Sequence, residues 1–439
     1  MTVGGERFFY VRPVNGDDSN DGLSFNTAWK TWQKAMELTT TAGTTSAAGL
    51  FLVNEGSAYT GPWADGSVQM NEIFNSDSAS FKICGLSADG NLYPDSYFEF
   101  DLSGYTYSRW LTLFGNDTGA ILFENIKWSG ADSSNMDTLI ECSYHTALGQ
   151  SEFVNCIFED NDFLQGIFSW RAWGIQPEFR KCVFRRNNSY SSSSCLFQNG
   201  SATSRNNNGL LFDSCIIEEN QTKIGSSNYV LICHSLGFQL SDCAFYNNGK
   251  DVSSICVYLG SYANDARDRI GNNIFFNNAG TAIYSRGSVN STAPYNYSVY
   301  DQHVQGNVFV LNNKSIDFQY EPGVRRTTFS NNVFYNNTVE DIPSYIKSMP
   351  GNTASNYVFD PEFTNGYSGD FSVPHDSRLF SYSTVPGVPI GGAFVQKKLF
   401  TTTDSGTFAL GTGGVGDTVT VSGRSYQKID DSPIVWRTV

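Results

Sequence analysis

Three charged doublets recur at one phase of the sequence: Glu159-Asp160, Arg185-Arg186 and Glu218-Glu219. Acid, base and acid in fixed succession suit three kinds of chemistry. Two carboxylates about 9 to 10 Å apart, two strand spacings, leave room for a water between a general acid and a general base, as inverting glycoside hydrolysis needs. A cation beside acids also serves proton abstraction from a uronate, often with calcium. The third reading is a surface ladder of ion pairs, each worth under about 1 kcal/mol. Trp170, Arg171 and Trp173 form a second group that could bind substrate. Indole rings suit sugar faces and an arginine beside them suits an acidic glycan, although tryptophans serve equally as loop anchors.

Other motifs carry less. Asp17, Ser19, Asp21 and Gly22 open like a calcium loop, but its twelfth position is Ala28 and not the bidentate glutamate required, so a structural turn is expected. No metal site or cofactor is expected, with calcium the one weakly supported ion. Gly411 to Gly416 spells GxGxxG without a strand before it or a helix after it, which reads as a turn. His145, His234, His303 and His375 are scattered, and no GxSxG or Walker motif occurs.

What must position the doublets is a repeat. A nine-residue pattern runs through Phe153 to Asn161 (FVNCIFEDN), Phe179 to Asn187, Phe212 to Asn220, Leu240 to Asn248, Ile270 to Asn278, Val304 to Asn312 and Phe329 to Asn337, with a looser copy at Phe123 to Gly130. Its fourth position is Ile126, Cys156, Cys182, Cys215, Cys243, Asn273, Asn307 and Asn332, at gaps of 25 to 34 residues, the period of a solenoid. The copies are rich in β-branched and aromatic residues and end in Asn or Gly, read as turn signals. One strand per copy, stacked coil on coil, predicts an all-β parallel β-helix of about ten coils and some 50 Å. The four cysteines then form an inner thiol ladder that hands over to stacked asparagines, whose amides satisfy one another. A second strand is expected at 140–144, 166–170, 195–199, 231–235, 255–260 and 282–286. Nine cysteines with no CxxC and no zinc spacing predict reduced thiols, although ladder neighbours lie within disulfide range.

A solenoid has to cap its ends. Tyr10-Val11 reads as a strand, Asn15 to Gly22 as an Asx-rich turn, Thr27 as an N-cap, and Trp29, Trp32, Ala35 and Met36 as one helical face from Ala28 onward. This opening resembles that of the right-handed parallel β-helix, pectate-lyase-like superfamily, in which such a strand, turn and helix plug the first coil. Asp360-Pro361-Glu362-Phe363, Gly369-Asp370-Phe371 and Ile390-Gly391-Gly392 resemble its closing segment. The resemblance spans about residues 8 to 394 and implies the fold; lyases, hydrolases, epimerases and binding proteins all use it. The expected domains are a cap at 1–40, the β-helix at 41–394, and a small β module at 395–439 for attachment, oligomerisation or capping.

Of 439 residues only 16% are charged, with net charge −15 and 40% hydrophobic. Disorder is excluded. The acidity disfavours nucleic acid and anionic lipid, and no apolar run is long enough for a membrane helix. The N-terminus shows no secretory signal. A virion protein reconciles a glycan-facing fold with a cytoplasmic origin. The expected function is therefore a phage tailspike-like appendage, a homotrimer presenting loops to host-surface glycan and joined to other virion proteins through 395–439. The alternatives are a polysaccharide lyase or glycoside hydrolase, in a secreted location if exported, and a purely structural fibre or decoration protein.

Overall fold

The computed structural model describes residues 2–3, 6–39, 47–63, 81–113, 121–142, 151–170, 177–190, 194–199, 210–222, 228–233, 238–259, 268–286, 300–319, 325–342, 356–374, 377–383, 389–395, 418–421, 424–431 and 434–438. Three long sheets of twelve, ten and eight strands run side by side along a parallel β-helix. Pairing between coils is parallel throughout, consistent with the right-handed winding that parallel crossovers adopt. Antiparallel pairing is found at Thr2–Val3 against Glu6–Val11 and in a three-stranded sheet of Thr418–Val421, Arg424–Asp431 and Ile434–Thr438.

Each nine-residue copy contributes two strands, not the one expected. In the 153–161 copy, Glu152–Val154 lies in sheet 1 and Ile157–Glu159 in sheet 2. Asn155 (φ 51°) and Asp160 (φ 54°) turn the chain after each strand. The same left-handed corners recur at Lys181 and Arg186, Ser214 and Glu219, and Asn272 and Asn277. Asn and Asp tolerate this region better than most side chains. Sheet 3 collects the strands expected further along each coil, among them Thr138–Cys142, Gly166–Trp170, Ser194–Asn199 and Asn228–Cys233.

Inward residues stack on their equivalents. Phe123, Phe153, Phe179 and Phe212 form one column of parallel rings 4.8–4.9 Å apart. Trp128, Phe158 and Phe184 form a second at 4.8 Å. Cys156, Cys182, Cys215 and Cys243 pile into a single buried column of free thiols, as expected. Cys243 then passes its backbone N–H to Asn273 Oδ1 at 2.8 Å, and the Nδ2 groups of Asn273, Asn307 and Asn332 each donate to the next Oδ1 at 2.9–3.0 Å.

The asparagine closing each copy is not a turn residue. Asn161, Asn187, Asn220, Asn248, Asn278, Asn312 and Asn337 form a second interior ladder. Each Nδ2 donates to the next Oδ1 at 2.8–3.2 Å, and Asp341 accepts from the last. The turn is made by the residue before it.

At the N-terminus a 3-10 turn, Phe25–Thr27, is capped by Ser24, and the helix spans Trp32–Thr39. The helix was expected from Ala28 with Thr27 as its cap. Trp29 instead forms a parallel bridge with Val11, which holds the backbone extended. Asp18 accepts from the N–H groups of Lys30 and Thr31, and the Thr31 hydroxyl accepts from Lys34 N–H. Trp29, Trp32, Ala35 and Met36 are all buried, so the apolar face was read correctly and its helix limit was not.

The chain after the last coil folds back over the molecule. Phe359, Phe371, Val373, Leu379, Ile390 and Val395 cover the outer face of sheet 2 at Ala244, Tyr246, Ile274, Phe276, Val308, Val310 and Val333. In these later coils the sheet is therefore apolar on both faces, and the returning strap forms a second core outside the helix.

Candidate functional site

The doublets come together where the strap leaves sheet 2 uncovered. Glu159 lies in register with Arg185, Arg185 with Glu218, and Glu218 with Tyr246. This column faces outward because side chains alternate along each strand and the preceding residues, Phe158, Phe184, Ile217 and Phe245, face inward. Beside it on the same face run Lys127, Ile157, Val183 and Ile216, the last three half-buried.

Glu159 is nearly enclosed, with 7% of its side chain exposed. Lys127 Nζ reaches it at 2.6 Å, Arg185 Nε also binds it, and Arg186 approaches at 3.6 Å. Burial pushes its carboxyl up, but the hydrogen bonds and charges of Lys127 and Arg185 outweigh that and hold it below the usual carboxylate range. Lys127 is shared with Glu99 at 3.0 Å. Asp160, at the corner, takes two bonds from Arg186 at 2.6 and 2.7 Å, which keep it below the ordinary range. At the strap end, the buried Tyr246 lies in register beside Glu218; burial first and this carboxylate second push the phenol's pKa up. Glu219 occupies the same left-handed corner position as Asp160 and Arg186.

Two segments frame this surface. Along one corner, the loop between Leu86 and Phe98 is held by Asn125 Nδ2 to Tyr93 O at 2.8 Å, Asn155 Nδ2 to Pro94 O at 2.5 Å, and Tyr97 OH to Asn155 Oδ1 at 2.9 Å. At the far end the strap crosses the sheet, with Asn247 Nδ2 donating to Tyr367 O at 2.9 Å. Gly369 sits so close that a Cβ there would lie 2.6 Å from the Tyr246 hydroxyl oxygen; its φ of +79° also calls for glycine. Tyr93 and Tyr367 stand 49% and 59% exposed at the two boundaries. The result is a trough about four strand spacings long, roughly 19 Å, with an apolar strip and an ion-paired column as its floor.

Sequence reasoning placed Glu159, Asp160, Arg185, Arg186, Glu218 and Glu219 in successive coils, and the register brings them together. It did not find Lys127, Glu99 or Tyr246. Tyr246 was legible in principle, as the residue at the Glu218 position of the next copy. A second charged column, in which Arg180 binds Glu152 at 3.0 Å and Asp213 at 3.4 Å, decorates the outer face of sheet 1. Trp170 closes the strand Gly166–Trp170, and its side chain, with all of Arg171 and Trp173, lies outside the described residues. Gly411 to Gly416 and three of the histidines lie there too; His303 Nδ1 shares a hydrogen bond with Thr328 Oγ1 at 2.8 Å. Asp17 and Asp21 serve the turn, accepting from Ser19 N–H and from the Leu23 N–H and Thr27 hydroxyl.

No protein-family description matches the chain, and no curated protein does. Among solved structures it is similar to a rhamnogalacturonan lyase, at 12% identity and a TM-score of 0.35 over 82% of this chain and 90% of that one. At that level nothing about chemistry passes from one chain to the other.

Proposed function

We propose that this protein binds polysaccharide in the trough on sheet 2, and that it does so as a virion appendage of phage tailspike type, presenting the β-helix to host-surface glycan as a homotrimer. The observation that carries the reading is the uncovered stretch of sheet 2. Its half-buried strip of Ile157, Val183 and Ile216 suits the apolar faces of sugar rings, and Tyr93 and Tyr367 stand exposed at its boundaries. Binding is favoured over acid catalysis because Glu159 is held ionised by Lys127 and Arg185, and so carries no proton to donate near neutral pH.

The test is retention of the protein on immobilised host-surface polysaccharide. Val183→Glu and Tyr367→Ala are expected to weaken retention while the circular dichroism of the sheets is preserved; retention unaffected by both would end the reading. The virion assignment is tested by mass spectrometry of purified particles, and the trimer by light scattering, which should return about three times the monomer mass.

A lyase or hydrolase is the second reading. It draws on the Glu218 carboxylate, which stands between Arg185 and the Tyr246 phenol in the column. Turnover that disappears in Glu218→Gln while binding persists would favour it.

A further inference from the structure

Resting on the glycan-binding reading, we infer that the trough selects an uncharged polysaccharide and rejects polyuronates and other polyanions. The argument is one of charges already committed. A site for carboxylated or sulfated sugars needs cations that can turn toward the ligand, most effectively an arginine presenting its fork. Here Lys127 is divided between Glu99 and Glu159, Arg185 is bound to Glu159, and Arg186 is bound in bidentate fashion to Asp160. Lys181 stands in the opposite corner turn, outside this column.

The acids are placed differently. Glu218 faces the strap end beside Tyr246, and Glu219 follows it in the corner. Asp95 lies in the framing loop and Asp101 at the open end, where it caps Ser103. A sugar carboxylate laid along the floor would therefore meet carboxylates and, among the described residues, no cation released to receive it. Hydroxyl groups face no such penalty, because ionised carboxylates are strong acceptors for them. The chain's net charge of −15 acts in the same direction at longer range, slowing the approach of any polyanion.

The experiment compares binding of the full chain to polygalacturonate and alginate with binding to uncharged galactan, mannan and glucan, at low salt and at about 0.15 M. Wild type should retain an uncharged polymer with little salt dependence and fail to retain either polyanion. Glu159→Gln removes the carboxylate shared by Lys127 and Arg185, and should raise polygalacturonate affinity at low salt by about tenfold. Glu218→Gln, which deletes an acid without stripping a half-buried cation of its partner, should move affinity the same way by a smaller factor and guards against a folding failure of the first variant. Salt-sensitive polygalacturonate binding by wild type, abolished by Arg185→Gln, would overturn this inference and leave the glycan-binding reading standing. So would the absence of a gain in both glutamate variants. Retention of no polymer of either kind would remove the parent reading and this one with it.

Discussion

Asn278→Ala should damage this protein far more than an asparagine normally can. The side chain is 1% exposed and sits mid-ladder. Its Nδ2 donates to Phe245 O at 3.0 Å and to Asn312 Oδ1 at 2.8 Å, while its Oδ1 accepts from the backbone N–H and the Nδ2 of Asn248, both at 3.1 Å. Alanine removes all four bonds, and the Asn248 backbone N–H is left buried without its acceptor. A net hydrogen bond is worth about 0.5–1.5 kcal/mol and an orphaned buried donor costs about 1–3 kcal/mol, so the loss should be about 3–5 kcal/mol. Because coils are coupled chiefly to their neighbours, the effect should be local. Urea unfolding followed by tryptophan fluorescence gives the magnitude, and hydrogen exchange of peptides containing Asn248 gives the location. Cys243→Asn is the matched gain, since the new amide would extend the asparagine ladder toward Asn273, and it should be neutral or stabilising. A loss below about 1 kcal/mol in Asn278→Ala, with exchange around Asn248 unchanged, would refute the view that these amides form one satisfied network.

Three further expectations follow from the same structure. The depressed carboxyl of Glu159 stabilises the fold above its unfolded value, about 4.3, and that contribution disappears as pH falls through the folded value. Glu159→Gln should thus flatten acid denaturation below about pH 4, and an unchanged acid limb in a pH series of melts would contradict this. Phe371→Ala removes a buried ring in edge contact with Tyr246, Phe276 and Phe363, at a cost of about 3–5 kcal/mol to the strap. Limited proteolysis should then cut within residues 363–383 while the far-ultraviolet spectrum of the helix persists; an unaltered digestion pattern would count against it. Burial pushes the thiols of Cys182, Cys215 and Cys243 well up, so alkylation should spare them until denaturant is added. Mass-spectrometric detection of modified Cys215 in the native protein would show the column to be open.

The repeat made most of the architecture legible because stacking imposes a chemical identity at each inward position. Phe153, Cys156 and Phe158 recur in kind coil after coil, and that recurrence survives varied loop lengths. What misled was the double use of asparagine. It suits a left-handed corner, as at Asn155 and Asn272, and equally a buried amide ladder, as at Asn161 and Asn278, so the closing Asn was assigned to the turn. The corner before it also broke the copy into two strands. The isolated bridge between Val11 and Trp29 overrode a helical pattern in the same way, since tertiary bridging wins over local propensity. The strap also leaves a trace in the sequence. The triplet at the doublet phase changes from Ile157-Phe158-Glu159 to Ile274-Phe275-Phe276 and Val308-Phe309-Val310. A strand apolar at every position is buried on both faces, which already required something to lie over the later coils. For the candidate site, periodicity located the doublets but could not show that Lys127 reaches in from an earlier coil to share Glu159.

In-register stacking also limits how the molecule can change its length. Excising residues 182–214 would join Lys181 to Cys215 and delete one complete turn. The inner columns would close over the gap with Cys156 against Cys215, Phe158 against Ile217 and Asn161 against Asn220, all acceptable neighbours. The outer face would not heal, because Glu159 and Glu218, now kept apart by Arg185, would become adjacent like charges. The interior tolerates editing in whole-turn quanta, and the alternating exterior decides which turn is indispensable.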